Sequence, residues 1–336
     1  MRGVATVALA VSLSACATPT PQGLPPVSVT AQAETEPVGT AAQDAADDPA
    51  IWRNAADPAS SLIVATDKKA GLYVYGLDGS TKSFVEGGLL NNVDLVDMGA
   101  AGIVVVASDR NDLANAMLQV YRLDPRTAAL TLLGKVPGGT GEGYGLCLRK
   151  AGDRLLAYSA LKDGTVQEVE IALGAAPSGA LLRQMKIPTQ IEGCVADPAD
   201  GTLYVGEEKA GIWRFAPGAT EGELVARVDN QHLVADVEGL AILREGDRAL
   251  LVASSQGDNA YAVFALPALT PLGRFAITAG AFGAAEETDG IELVGGSFGS
   301  HFPDGLFVAQ DGHNQPHAQN FKLVSWAAIK AALGID

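Results

Sequence analysis

A weak repeat of about 45 to 50 residues runs through most of the chain and limits what it can fold into. Six segments each place an acidic or polar residue just before a short apolar stretch, and they start at Asp48, Asn92, Tyr144, Glu192, Glu238 and Asp289. Second and third apolar stretches follow in every unit, as at residues 62–66 and 72–75 in the first. Four short strands per unit at this period are typical of propeller blades.

The six units predict an all-β fold, a six-bladed β-propeller with four-stranded blades. The last unit lacks a fourth strand of its own, and the alternating segment 27–33 near the N-terminus is available to supply it. Such closure would remove the open edges of the first and last blades. The alternative is a two-sheet sandwich, which six regular repeats disfavour. The 336 residues suit one closed toroid, and 39 glycines suit its many tight turns.

The N-terminal segment predicts export. A positive start is followed by an apolar run at residues 4–13 that is too short to span a bilayer. The run ends in Leu13-Ser14-Ala15-Cys16, which looks like a bacterial lipobox. Residues 1–16 are therefore interpreted as a lipoprotein-type signal with acylation at Cys16; the alternative is an ordinary cleaved signal. Residues 17–43 form a tether with the closing strand, and residues 44–336 form the propeller domain.

This interpretation places the mature protein in the periplasm or at the cell surface, as an outer-membrane lipoprotein, or outside the cell. We expect a monomer that meets a membrane only through its anchor. An oxidising compartment would permit a disulfide between Cys147 and Cys194. Both cysteines lie in apolar surroundings that also suit buried free thiols, and free thiols are the favoured interpretation.

The charge balance is acidic, with 39 Asp and Glu against 23 Lys and Arg and a formal net charge of −16. Such a surface repels nucleic acids and anionic membranes. It either serves solubility alone or includes carboxylates that hold hard cations such as Ca²⁺.

The fold decides which acidic residues come together. The innermost strands of a propeller line its central channel, so their starts meet at one mouth. Four of the six starts are acidic, namely Asp48, Glu192, Glu238 and Asp289, and both Asp94 and Asp236 lie within two residues of a start. Crowded carboxylates must protonate or bind cations. Oxygen ligands without His or Cys favour Ca²⁺; the alternative is that these side chains cap turns and face water.

The loops after the second strands carry charge of both signs. The first three units place basic residues there, and these are Lys68, Lys69, Arg110 and Lys162. The last three units place Glu207, Glu208, Gln256 and Asp311 at the same points of the repeat. One half of the mouth is therefore expected to be basic and the other acidic, which suggests an anionic ligand bridged to metal ions.

Several strings in this order resemble the β-propeller phytases over nearly all of the chain after about residue 44. They include Asp47-Asp48-Pro49-Ala50-Ile51-Trp52, Thr66-Asp67-Lys68-Lys69-Ala70-Gly71-Leu72, Leu90-Asn91-Asn92-Val93-Asp94, Asp236-Val237-Glu238-Gly239-Leu240, Ala253-Ser254-Ser255-Gln256-Gly257, Glu287-Thr288-Asp289-Gly290-Ile291, Phe307-Val308-Ala309-Gln310-Asp311-Gly312 and Gln319-Asn320-Phe321-Lys322. Two places depart from the family pattern: the short loop 111–115 and Gly143, where a larger residue is common.

The resemblance implies a 3-phytase: a phosphomonoesterase that hydrolyses phytate (myo-inositol hexakisphosphate) and related inositol phosphates through attack by calcium-bridged water. It implies several calcium ions, and active-site ligands Tyr144, Glu192, Glu208, Asp236, Glu238 and Asp289. Further calcium ligands or their neighbours are Asp48, Asn92, Asp94, Asp311 and Asn314. Phosphate would be bound by Lys68, Lys69, Arg110 and Lys162, with Gln256 beside them. The catalytic roles fall to Lys68, Arg110, Asp236 and Glu192.

Two other functions remain compatible with a propeller of this kind. A calcium-dependent lactonase would need one deep metal ion and no row of basic residues. A non-catalytic, ligand-binding lipoprotein would not need acidic and basic loops in register. The four histidines, His232, His301, His313 and His317, fall outside the strong motifs.

If Cys16 carries the lipid, Cys16→Ser should move the protein from the membrane to the soluble exported fraction, because the acyl chains are the proposed attachment. Detergent partitioning and cell fractionation of both forms measure this. Equal distribution of the variant and the native protein would contradict lipid anchoring.

Overall fold

The computed structural model describes residues 22–41 and 44–335. The predicted signal peptide and Cys16 lie outside these residues. Within the described ranges, no helix is both long and apolar enough to cross a membrane. The first strands are β1 (Val27–Val29) and β2 (Ala33–Glu34).

After these strands, the repeat forms six sheets, each built from the antiparallel strands of one predicted unit. Blade one contains β3 (Ala46–Trp52), β4 (Leu62–Asp67), β5 (Gly71–Gly76) and β6 (Thr81–Glu86). Blade two contains β7 (Leu90–Asp97), β8 (Ile103–Asp109), β9 (Asn115–Asp124) and β10 (Ala129–Thr140). Blade three contains β11 (Gly143–Ala151), β12 (Arg154–Leu161), β13 (Thr165–Leu173) and β14 (Pro177–Lys186).

The second half repeats this arrangement. Blade four contains β15 (Ile191–Ala196), β16 (Leu203–Glu207), β17 (Gly211–Phe215) and β18 (Glu223–Arg227). Blade five contains β19 (Val237–Glu245), β20 (Arg248–Ser255), β21 (Ala260–Ala265) and β22 (Thr270–Ile277). Blade six contains β23 (Ile291–Gly295), β24 (Gly305–Asp311) and β25 (Asn320–Ser325), and α1 (Trp326–Leu333) follows.

The first strand of every blade is the innermost one. Strands β3, β7, β11, β15, β19 and β23 contact one another in that order, and β23 returns to β3, so the ring is closed. The six-bladed propeller predicted from the repeat is confirmed, and the sandwich alternative is excluded.

The N-terminal segment closes the ring in two pieces. Strand β1 pairs in parallel with β22, with Val27 opposite Phe275, and adds a fifth strand to blade five. Strand β2 pairs antiparallel with β25, with Ala33 opposite Leu323, and completes blade six. The prediction that 27–33 forms one closing strand is therefore right in its location and wrong in its continuity, because the chain crosses between two blades within it.

Six hydrophobic cores lie between neighbouring blades, and alternation along the strands builds them. In β4, Ile63 and Ala65 pack toward blade six, whereas Leu62 and Val64 pack toward blade two. Middle strands are thus apolar on both faces, while an outer strand such as β6 is largely exposed. Since each core is shared by two blades, the stability of each blade depends on its neighbours.

A disulfide joins Cys147 of β11 to Cys194 of β15, with the two Cα atoms 5.7 Å apart. The preference for free thiols was therefore wrong. The two residues are 47 positions apart in sequence. The inner strands of blades three and four converge near the channel axis, and this convergence brings the two cysteines within bonding distance.

Replacement of both cysteines by serine should lower the free energy of unfolding by about 2 to 4 kcal/mol, because the crosslink closes a long loop of the unfolded chain. Denaturant unfolding of the oxidised native protein and the double variant measures the difference. Native protein treated with a reductant should match the variant. Equal midpoints for all three would show that the crosslink does not stabilise the fold.

Candidate active site at the mouth of the central channel

The inner strands of blades one to five begin with a bulge that turns one side chain to the mouth. In blade one, Ala46 pairs with Asp67 and the next pair is Pro49 with Ala65, so residues 47 and 48 together oppose the single residue Thr66. Blades two to five show the same two-residue bulge. Its first residues, with Asp289 as the corresponding position before β23, are Asp47, Asn91, Tyr144, Glu192, Glu238 and Asp289.

This register corrects the sequence alignment in two blades. The equivalents of Glu192 and Glu238 are Asp47 and Asn91, which sequence reasoning did not select, and not Asp48 and Asn92. The latter occupy the second bulge position, where the other four blades have Gly145, Gly193, Gly239 and Gly290. Aligning Asp48 and Asn92 with these glycines would have shown the offset.

In those four blades glycine is required, because the neighbouring inner strands touch through their backbones. A Cβ on Gly193 would lie 2.1 Å from the carbonyl oxygen of Glu238. The N–H of Gly239 donates to the carbonyl of Asp289 at 2.7 Å, and that of Gly290 donates to Asp47 at 3.0 Å. This close approach brings the preceding acidic side chains together.

Three glutamates meet on the acidic side of the mouth. Glu192, Glu208 and Glu238 each offer one carboxylate oxygen, and these oxygens all lie within 4.8 Å of one another. All three side chains are buried, and Oε2 of Glu238 has no hydrogen-bond partner. Burial and the nearby carboxylates raise the pKa of Glu192 and that of Glu238 well above their usual range. A hard cation would remove this repulsion and satisfy the unpaired oxygen.

Amide side chains and the remaining acids border this cluster. The Nδ2 atom of Asn91 donates to Asp47 at 3.0 Å and to Oε1 of Glu192 at 2.5 Å. Gln256 donates to Asp289 at 2.6 Å. Asp236 forms an ion pair with Lys209. The predicted residues Glu192, Glu208, Asp236, Glu238 and Asp289 are thus brought to one place.

Lys68 is a buried counter-charge. Its ammonium lies 2.7 Å from Asp47 and 3.2 Å from Asp289, and it also contacts Asp44. Burial alone would lower the pKa of Lys68, but the carboxylates of Asp47 and Asp289 raise it above its ordinary value. Lys69 is more exposed and lies 3.7 Å from Asp44.

The other two basic residues frame Tyr144. The Arg110 guanidinium lies 5.7 Å from the centre of the Tyr144 ring, and the Lys162 ammonium lies 4.8 Å from it. Both also approach Glu142, at 3.4 and 3.9 Å. With Lys69, they form a basic arc on blades one to three of the mouth, beside the acidic blades.

One backbone hydrogen bond defines equivalent loop positions in all six blades. In blades one to five, the N–H of the first loop residue donates to the carbonyl directly before the inner strand; in blade six it donates to the carbonyl of Glu286. The six donors are Lys68, Arg110, Lys162, Glu208, Gln256 and Gly312. The sequence alignment had placed Asp311 here. Asp311 is instead the last ladder residue of β24, paired with Asn320 as Asp67 is paired with Gly71.

The further predicted calcium ligands lie in two other places. The buried ammonium of Lys322 lies 3.0 Å from a carboxylate oxygen of Asp311 and 3.3 Å from the amide oxygen of Asn314. The same ammonium also pairs with Glu34 of β2. Asp48 and Asp94 each accept a backbone N–H from the next blade, from Val93 at 3.1 Å and Leu148 at 2.7 Å. These oxygens already bridge blades, and their role in calcium binding stays a prediction.

Glu292 was missed by the sequence analysis. It occupies the same register position in β23 as Asp94 in β7, two residues beyond the bulge. Both line a small space of about 40 Å³ in the channel, together with Asp48 and Asn92. Burial raises the pKa of Asp94 to about 7 and that of Glu292 to about 8. The sequence signal that could have identified Glu292 is an acidic residue two positions beyond the bulge in an otherwise apolar inner strand.

The fold and the site together define a β-propeller whose channel mouth combines buried carboxylates with basic side chains. The family model described as Phytase matches residues 2–336. The chain is 38% identical over 329 residues to the 3-phytase of Bacillus subtilis (strain 168), covering 91% of this chain and 85% of that protein. The chain belongs to the phytase family, and the predicted membership is confirmed.

A distant solved structure shares the fold alone. A chain of the mitotic checkpoint complex superposes with a TM-score of 0.54 at 14% identity, covering 96% of this chain and 86% of that one. The likeness carries no functional argument.

The raised carboxyl pKa values predict how stability changes with pH. Burial raises the pKa of Asp289 to about 7, as it raises those of Asp94 and Glu292, so the folded state keeps protons that the unfolded chain has lost. Without divalent cations, the melting temperature should therefore fall by several degrees from about pH 5 to about pH 8.

Calcium should abolish most of this decline, because bound cations favour the ionised carboxylates. Calorimetry in chelator and in calcium across this pH range makes the comparison. A melting temperature that rises with pH in chelator would contradict the raised pKa values of these carboxyl groups.

Proposed function

We propose that the protein is a calcium-dependent phosphomonoesterase that hydrolyses phytate and related inositol phosphates to lower inositol phosphates and phosphate. Membership of the phytase family and the likeness to a 3-phytase support the reaction. The observation that carries the proposal is the meeting of Glu192, Glu208 and Glu238 beside the basic arc at one mouth.

The donor set fits calcium. It consists of carboxylate and amide oxygens, and the unpaired Oε2 of Glu238 is oriented within a buried cluster that repels itself without a cation. Glu192, Glu208, Asp236, Glu238 and Asp289 would hold the ions. When bound there, calcium would supply positive charge for phosphoryl oxygens and polarise water.

The basic arc gives the phosphates their positions. The Arg110 guanidinium can bind two phosphate oxygens at once, and the Lys162 ammonium on the same tyrosine ring, that of Tyr144, adds a compact positive charge. Lys69 supplies a third cation. A substrate with phosphates all round its ring can place one against the arc and another toward the acidic half. Arg110 would then stabilise charge that grows on the phosphoryl oxygens as the ester bond breaks.

Lys68 acts differently from the arc. Because its ammonium is enclosed by Asp47 and Asp289, it holds these carboxylates in place and reduces the negative charge at the point where phosphate enters. The six bulge positions at the mouth are Asp47, Asn91, Tyr144, Glu192, Glu238 and Asp289; none is a serine, cysteine or histidine, which fits water as the nucleophile. Asp236 is the more open carboxylate of the group and would accept the proton of the attacking water.

We further propose that the enzyme acts outside the cytoplasm as a lipoprotein. The Leu13-Ser14-Ala15-Cys16 string supports this proposal.

The test is phosphate release from calcium phytate, with and without a chelator, for three variants. Arg110→Ala should lower kcat/KM about 10²- to 10³-fold through lost charge stabilisation, with calcium binding unchanged. Glu238→Gln should lose activity and calcium affinity together, and excess calcium should restore part of the rate. Arg126→Ala, at an exposed turn on the opposite face, should match the native protein.

Activity that survives in excess chelator would refute the calcium requirement. If calcium restored Arg110→Ala as well as it restored Glu238→Gln, the separation of phosphate-binding and metal-binding residues would be wrong.

A further inference from the structure

Lys209 places an ammonium on the acidic half of the mouth. It follows Glu208 in the turn between β16 and β17, and its Nζ forms an ion pair with Oδ1 of Asp236. The Lys209 side chain is 72% exposed and that of Asp236 is 20% exposed. The pair therefore lies at the entrance to the Glu192, Glu208 and Glu238 cluster.

The backbone determines this contact. The carbonyl of Glu208 accepts the N–H of Val237 at 2.9 Å, which ties the β16–β17 turn to the start of β19. Asp236 directly precedes that start, so the residue after Glu208 reaches it from the neighbouring blade. Lys209 occupies the turn position that Lys69 occupies in blade one, since Glu207 pairs with Gly211 as Asp67 pairs with Gly71.

The carboxylates of Asp236, Glu208 and Glu238 all act on this ammonium. Asp236 raises the pKa of Lys209 most, and Glu208 and Glu238 add to the effect. The contrast with Lys68 is exposure: Lys68 is enclosed by its partners, whereas Lys209 can leave toward water. Because the lysine end of this ion pair is solvated, an incoming divalent cation can replace it at small cost.

We propose that Lys209 is a resident counter-ion of the acidic half of the mouth, which calcium must displace from Asp236 as the glutamate cluster loads. This inference rests on the proposed calcium-dependent function. Its consequence is that Lys209 sets the calcium concentration at which the mouth fills: it neutralises Asp236 when calcium is scarce and gives way when calcium is abundant.

The experiment is calorimetric titration of the full-length, substrate-free protein with calcium chloride. Lys209→Gln should lower the dissociation constant for calcium about three- to tenfold, because a competing charge a few ångströms away is removed. Lys209→Arg should match the native protein, since the charge is kept. Lys82→Gln, which removes an exposed lysine paired with Asp78 on the opposite face, is the matched control for net charge and should also match.

Two further measurements identify the cause. The difference between Lys209→Gln and the native protein should shrink at about 1 M salt, which screens exposed charges. In an Asp236→Asn background, Lys209→Gln should have little effect, because the carboxylate for which both cations compete is gone. An equal gain in that background, or the same gain in Lys209→Arg, would overturn the proposal.

The outcomes also separate this inference from the proposed function. If the native protein binds calcium and Glu238→Gln weakens binding, while Lys209→Gln binds as the native protein does, only the role of Lys209 is wrong. If the native protein takes up no calcium that Glu238→Gln affects, the calcium requirement itself fails.

Discussion

The backbone contact between neighbouring inner strands is the constraint on which the site depends. Gly193 and Gly239 allow the next strand to approach to a distance that any side chain would prevent. The residue before each glycine is then held at the channel mouth, next to its counterparts from other blades. The propeller therefore gathers Glu192, Glu238 and Asp289 without any local sequence relation between them.

The same convergence creates an electrostatic problem that the protein resolves unequally around the ring. On one side, the Lys68 ammonium and the Asn91 amide occupy the space between carboxylates, so those acids are paired by the protein itself. On the other side, Glu192, Glu208 and Glu238 lie close together and Oε2 of Glu238 has no partner. Repulsion left in place at one point of a stable fold favours a cation there.

Stability and function share the channel. The disulfide between Cys147 and Cys194 joins the two strands that carry Tyr144 and Glu192, only two or three residues below these side chains. Asp48 and Asp94 each bond to the next blade's backbone. At the ring closure, Lys322 links Glu34 of the N-terminal strand to Asp311 of blade six. The mouth is thus built on elements that also hold neighbouring blades together.

The sequence by itself determined the repeat, and with it the blades, the strand order and the basic and acidic halves of the mouth, because alternation and turn residues act over a few neighbours. Family membership also followed from strings such as Asp47-Asp48-Pro49. Only the tertiary structure decided the register of the bulges, which selects Asp47 and Asn91 over Asp48 and Asn92. It alone showed the buried state of Lys68, the pairing of Cys147 with Cys194 and the contact of Lys209 with Asp236. Each of these depends on how two blades approach each other, and that distance is set by packing across the ring, not by the residues adjacent in the chain.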